Sequence, residues 1–130
     1  MSRDHRKLRV FTVADGLVTK IYSITQDFPA AERFGLQSQL RRAAVSTACN
    51  IVEGCARKGE NEYLNFLNIA AGSASEARYL VDVSRRLGFL REEESRVVTA
   101  TYTELAARLQ ALIKSLERFP LVLSTRSWYS

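Results

Sequence analysis

What this sequence lacks narrows its class before any pattern is read. Only two of its 130 residues are proline, Pro29 and Pro120. Neither interrupts a long periodic segment, which favours helices. Period-2 alternation of apolar and polar residues is absent, so strands are not expected. No apolar run approaches the roughly 20 residues that a bilayer span requires. The charged start MSRDHRKLRV leads into no continuous apolar stretch, so no secretory signal is expected. The single histidine, His5, lies in the N-terminal tail, which leaves any Ser-His or Cys-His nucleophilic site in the body of the chain without its base. There is no Glu-x-x-His pair of the di-iron bundles, no Walker A loop and no Gly-x-Gly-x-x-Gly fingerprint. The two cysteines, Cys49 and Cys55, fall on different faces of one predicted helix and cannot bridge within it. Two misaligned thiols do not make a zinc site either. They read as small buried apolar side chains in a reducing compartment. No enzyme activity, cofactor or metal is expected, and the location expected is cytoplasmic.

What is present is an ordinary globular composition, 46% hydrophobic and 25% charged, in a length that fits one domain spanning residues 1–130. The formal charge is +5, and its distribution is uneven: residues 1–58 hold ten Lys or Arg against five acids, whereas residues 59–130 hold nine of each. An excess confined to the first half permits an electrostatic footprint for nucleic acid. A uniformly solvated basic surface reads equally well from the charge alone.

The chain is organised around Leu40–Lys58, LRRAAVSTACNIVEGCARK. Between Ala43 and Ala56 it carries one charge, Glu53, and is built from small residues. A helix of that composition belongs at the centre of a bundle or in an interface. Its polar residues Arg42, Ser46, Asn50, Glu53 and Arg57 are spaced four, four, three and four apart, which puts them in one stripe on an apolar rod.

Around that stretch the periodicity predicts four helices. Residues 1–9 read as a basic tail, and a first helix follows from Val10 to Asp27, ended by Phe28-Pro29. Gly16 inside it costs about 1 kcal/mol unless a neighbouring helix passes close. Phe34, in the connection to Gly35, is expected to tuck back as an apolar plug. The second helix runs from Leu36 to Arg57 or Lys58 and breaks at Gly59. The third starts at Glu60 or Asn61, with Asn61 a suitable N-cap, and ends at Leu87, with Gly88 as the C-cap. Its small residues Ala70–Ala74 would let another backbone approach at Gly72 and Ser73. Three glutamates, Glu92–Glu94, mark the start of the fourth helix, expected over Arg91–Phe119 with a seam of Val98, Tyr102, Leu105, Leu109, Leu112, Leu116 and Phe119. Pro120 is expected to stop it, leaving a C-terminal tail, 120–130, with apolar anchors Leu121, Leu123 and Trp128. Four helices on short connections make an all-α, antiparallel up-down-up-down four-helix bundle.

The polar stripe has two readings. As a site, Arg42 and Arg57 would hold phosphate and Asn50 a sugar or base edge. As structure, it would be a satisfied network fixing helix register, with Glu53 and Arg57 closing a local ion pair. Glu53 and Glu76 could also pair as carboxylates from adjacent helices, or each could simply lie near Arg42, Arg57 or Arg78.

QLRRAAVSTACNIVEGCARK followed by EYLNFLNIAAGSASEARYLV resembles the four-helix-bundle proteins encoded in intervening sequences of bacterial 23S rRNA genes. The resemblance runs from about Ile21 to Leu90. It includes Phe28-Pro29, Glu32-Arg33, Leu36, Gln39-Leu40-Arg41-Arg42-Ala43, Ser46, Asn50, Glu53-Gly54, Phe66-Leu67, Gly72-Ser73 and Glu76. One departure is Ser46-Thr47-Ala48 where that family usually has Ser-Ile-Pro, which should straighten the helix. The sequence is also similar to the accessory variability determinant proteins of diversity-generating retroelements, basic pentamers that work with a reverse transcriptase and nucleic acid. The resemblance implies a homo-oligomer, a ring of five. With the charge asymmetry it gives the leading expectation: a non-enzymatic oligomer contacting structured RNA through Arg41, Arg42, Arg57 and Lys58, with Ser46, Asn50, Glu53 and Glu76 as a structural polar network. The competing expectation is a protein-protein scaffold or assembly module with no nucleic-acid ligand.

Overall fold

The computed structural model describes residues 3–124, with side chains through Glu117. Four helices carry the fold: α1 (Arg9–Ile24), α2 (Leu36–Ala56), α3 (Glu60–Arg86) and α4 (Glu92–Ser124). One-turn 3-10 helices at His5–Lys7 and Ala30–Glu32 precede α1 and α2. Each α-helix packs on the next and α4 closes back on α1, which is the square, antiparallel arrangement of a four-helix bundle.

The core follows the periodicity. Val10, Val13, Ala14, Leu17, Ile21 and Ile24 turn inward from α1, a 3.6-residue stripe. They meet Leu40, Ala44 and Ile51 of α2, Leu67, Ala74 and Val81 of α3, and Val98, Tyr102, Leu105 and Leu109 of α4. Burying each of the larger aliphatic groups contributes about 1.5–3 kcal/mol. Ile113 joins this seam although the spacing points to its neighbour Leu112, which is only partly buried. The α2–α3 pair packs most extensively. Its alanines leave little to hold two backbones apart, and at Gly54 an added Cβ would stand 2.9 Å from Phe66 Cβ and 3.2 Å from Tyr63 Cδ1.

The helix ends show where local rules give way. α1 stops at Ile24 rather than Asp27 because its last turn tightens: Gln26 N–H bonds to Ser23 O and Phe28 N–H to Thr25 O, i→i−3 spacings that end an α-helix. α2 stops at Ala56, since two carbonyls at its C-terminal end accept from Arg3 rather than from a further turn. α3 begins at Glu60 with Gly59 at the cap position, so Asn61 is not the N-cap. Its far end is a Schellman closure: Gly88 takes φ +83°, its N–H bonds to Arg85 O, and Phe89 N–H bonds to Ser84 O. Only glycine adopts that conformation without strain. α4 starts on its glutamates as expected but does not stop at Pro120; it continues to Ser124. A proline keeps helical φ, so the helix continues past Pro120 with the N–H bond of that residue missing. Leu121 and Leu123 therefore belong to α4, and Trp128 lies outside the described residues. α2 is unbroken through Ser46-Thr47-Ala48, as the missing proline implies.

Other expectations are corrected. An added Cβ at Gly16 or Gly72 would meet nothing within 4 Å, so neither glycine marks a helix crossing in this chain; Gly54 does. Cys55 is buried but Cys49 is exposed. The basic tail is no free arm from Arg3 onward, as the α2–α3 corner shows below. Among the described residues no helix is long and apolar enough to cross a membrane.

Candidate nucleic-acid interface

The junction of α1 with the N-terminus of α2 gathers cationic side chains and fixes one of them. Thr25, fully buried just past α1, donates its hydroxyl proton to Ile21 O at 2.7 Å. The Thr25 hydroxyl oxygen in turn accepts from Arg41 Nε at 2.9 Å. Arg41 Nη2 donates to Tyr22 O at 3.2 Å, and the guanidinium lies 4.4 Å from the Tyr22 ring centroid. Two hydrogen bonds and a cation-π stack thus hold Arg41 in one pose and leave Nη1 without a partner among the described residues. Ordering an arginine in advance removes a large part of the entropy cost of binding an anion.

Arg41 separates two open cavities. One, of about 540 Å³, is lined by Tyr22, Arg33, Phe34, Arg42 and Val45, among others. The other, of about 430 Å³, lies toward Pro29 and shares Arg33, Gln37 and Arg41 with the first. Among the described residues none of Arg33, Arg41 and Arg42 is in an ion pair. The nearest acid in sequence, Glu32, is engaged elsewhere: its Oε1 accepts from Leu36 N–H at 3.0 Å, capping α2. Phe34 is not the plug expected from its place before Gly35. It is 87% exposed and stands at the rim of the larger cavity. Cations without carboxylates beside an uncovered aromatic ring are what a phosphate backbone with unstacked bases requires.

The sequence-predicted residues divide between the two ends of α2. Arg41 and Arg42 belong to this cleft. Arg57 and Lys58 lie fifteen or more residues further along, roughly 22 Å at 1.5 Å per residue, so the four do not line one cleft. The proposed polar network divides too. Ser46 and Ser73 Oγ atoms are 2.9 Å apart, and Asn50 Nδ2 donates to Ser46 O at 2.8 Å and Ser46 Oγ at 3.1 Å. That links α2 to α3. Glu53 and Glu76 are exposed and take no part in these hydrogen bonds. Glu53 instead pairs with Arg57 one turn on.

Thr25, Arg33, Phe34 and Gln37 are the cleft residues that helical periodicity does not single out. Arg33 and Phe34 sit in the connection between Pro29 and Gly35, where binding residues on loops concentrate. Gln37 Nε2 donates to Thr25 O at 2.8 Å, a contact between elements that spacing along one helix cannot reveal.

The opposite end of α2 contains arginines of another kind. Arg3 N–H donates to Cys55 O at 2.8 Å, its Nη1 donates to Arg57 O at 3.2 Å, and its Nη2 pairs with Glu60 at 2.9 Å. Its guanidinium lies 3.9 Å from the centroid of the Tyr63 ring. Arg57 stacks on Phe66 at 5.1 Å while held by Glu53. Burial pushes the Tyr63 hydroxyl up to about 12 and raises the Cys55 thiol as well. Among the described residues no group of His, Cys, Asp and Glu side chains is arranged to hold a metal ion.

Comparison with known proteins bears on the family and the fold. The model of the family described as 23S rRNA-intervening sequence protein matches residues 6–111. The fold is shared with a crystal structure of a protein of unknown function from the S23 ribosomal protein family of Bacteroides thetaiotaomicron. That likeness has a TM-score of 0.75 at 23% identity and covers 81% of this chain and 95% of the other. No curated protein matches the sequence.

Proposed function

This chain belongs to the 23S rRNA-intervening sequence protein family, and we propose that it is a non-enzymatic, homo-oligomeric protein that binds structured RNA through the Arg33–Arg41–Arg42 cleft. The observation that carries this reading is that those arginines have no carboxylate partner among the described residues, where the other exposed arginines are mostly paired. Clustered cations with no acid beside them repel one another, and a polyanion relieves that repulsion. The resemblance read from the sequence to the accessory variability determinant proteins is a further support, since it implies a basic assembly that works beside nucleic acid.

The oligomer is proposed to be the ring of five that the sequence resemblance implies. Support comes from the outward face of α3, where Ile69 is 43% and Tyr79 62% exposed and the space over Gly72 is open. A second copy is the occupant proposed for that face. Sedimentation at micromolar concentration should find a single assembly larger than a monomer; a well-folded monomer would remove the claim.

RNA binding is tested by titrating a structured RNA over a range of salt. Three arginines on phosphates predict a log-log slope of about −2 to −3. A flat profile, or no binding at low salt, would favour the protein-scaffold reading instead.

A further inference from the structure

We infer that the cleft takes one unpaired purine nucleotide of an RNA strand, with its base on Phe34 and its phosphate on Arg41. This rests on the RNA-binding reading and adds which part of an RNA the cleft selects. A cavity of about 540 Å³ is of the size that holds one small ligand. It admits a single extruded nucleotide but not a paired helix. Phe34, 87% exposed at its rim, offers a ring face that nothing among the described residues covers, and any base can stack on it; a purine covers more of it than a pyrimidine.

Two fixed polar groups complete the subsite. Arg41 is held through Nε and Nη2, which leaves Nη1 to direct protons at one phosphate in a set position. Gln37 spends its amide nitrogen on Thr25 O. Its amide oxygen is therefore the atom left to accept from a base N–H, and the residue lines the cavity beside Arg41. An aromatic platform, a preset cation and one acceptor together match a nucleotide with its base exposed. Duplex RNA presents neither a free ring face nor a base edge at this spacing.

The test uses the full chain and two RNA hairpins that differ at one bulged position, 2-aminopurine in one and an abasic site in the other. The purine hairpin should bind about tenfold more tightly, the scale of one base-aromatic stack, and its fluorescence should be quenched on binding. Phe34→Ala should bind both hairpins equally with an unchanged salt slope, and Phe34→Trp should restore the preference. Phe34 is so exposed that neither change should alter the melting temperature. Equal binding of the two hairpins by the unmodified protein, or a preference that survives Phe34→Ala, would overturn the inference while leaving RNA binding intact. Failure of both hairpins to bind at low salt would overturn the RNA-binding reading itself.

Discussion

The two ends of α2 use the same pairing of side chains in opposite ways. At the α2–α3 corner, Arg3 stacks on Tyr63 and Arg57 on Phe66, and Glu60 and Glu53 neutralise them. At the α1–α2 junction Arg41 stacks on Tyr22 but donates its hydrogen bonds to a threonine hydroxyl and a backbone carbonyl. Neutral acceptors orient a guanidinium without cancelling its charge. The first end therefore closes the fold, and the second keeps a positive field available to a ligand. An arginine on an aromatic ring says nothing about function until the acid beside it is found or found missing.

The largest effect that could break this comparison is on RNA binding. Replacing Arg33, Arg41 and Arg42 together with Ala should lower affinity by about a hundredfold or more and flatten the salt slope by roughly 2 to 3 units. Arg57→Ala should change neither beyond about twofold, since its charge is already met by Glu53. Equal losses from the two ends, read by fluorescence anisotropy at several salt concentrations, would erase the distinction.

Next in size is a packing contrast. Gly54→Leu at the closed end forces a side chain against Phe66 and Tyr63 and should destabilise by about 1–3 kcal/mol or more. Gly72→Leu has open space and should leave the protomer's fold unchanged while weakening self-association if α3 carries the contact. Thermal melts with sedimentation on both variants separate these outcomes.

The closed end should also show an alkaline limit. Tyr63 has its pKa raised from 10.0 to about 12 by burial, so the folded state favours the neutral phenol. That contribution is complete below pH 10, the unfolded value, and is lost progressively as pH rises toward 12. Tyr102, whose hydroxyl is buried with no partner among the described residues, is raised in the same direction. Denaturant melts from pH 8 to 11 should show stability falling from about pH 10, with a shallower fall in Tyr63→Phe.

The smallest expected effect is that of Glu53→Ala. A buried role for this carboxylate would make its loss severe, about 3–5 kcal/mol. Glu53 is instead exposed, in an i,i+4 pair with Arg57, so the change should cost about 0.5 kcal/mol or less. A large loss of melting temperature would mean that assembly buries it.

Much of the fold was legible in the sequence because its determinants are local. Apolar residues at 3.6 spacing fix which face of each helix turns inward, and Gly88 closes α3 through backbone bonds spanning a few residues. The Glu53–Arg57 pair could be read for the same reason, since one helical turn brings i and i+4 together. The candidate site was legible only in part. Arg41 and Arg42 could be named from the basic stretch, but Arg57 and Lys58 were grouped with them because charge along a sequence ignores the length of a helix. Phe34 was expected inside because an isolated Phe in a connection carries no periodicity to say which way it points.

What the sequence determined by itself is the number of helices, their inward faces and a basic first half. Only the tertiary structure decided which of those basic residues remain uncompensated. Neutralising Arg3 takes Glu60, distant in sequence and 2.9 Å away in space, and orienting Arg41 takes Thr25 from another helix's end. Glu32, adjacent to Arg33, is diverted to the first N–H of α2. Helical periodicity is a property of one segment. Charge compensation depends on how two segments are rotated and stacked against each other, and core packing sets that geometry.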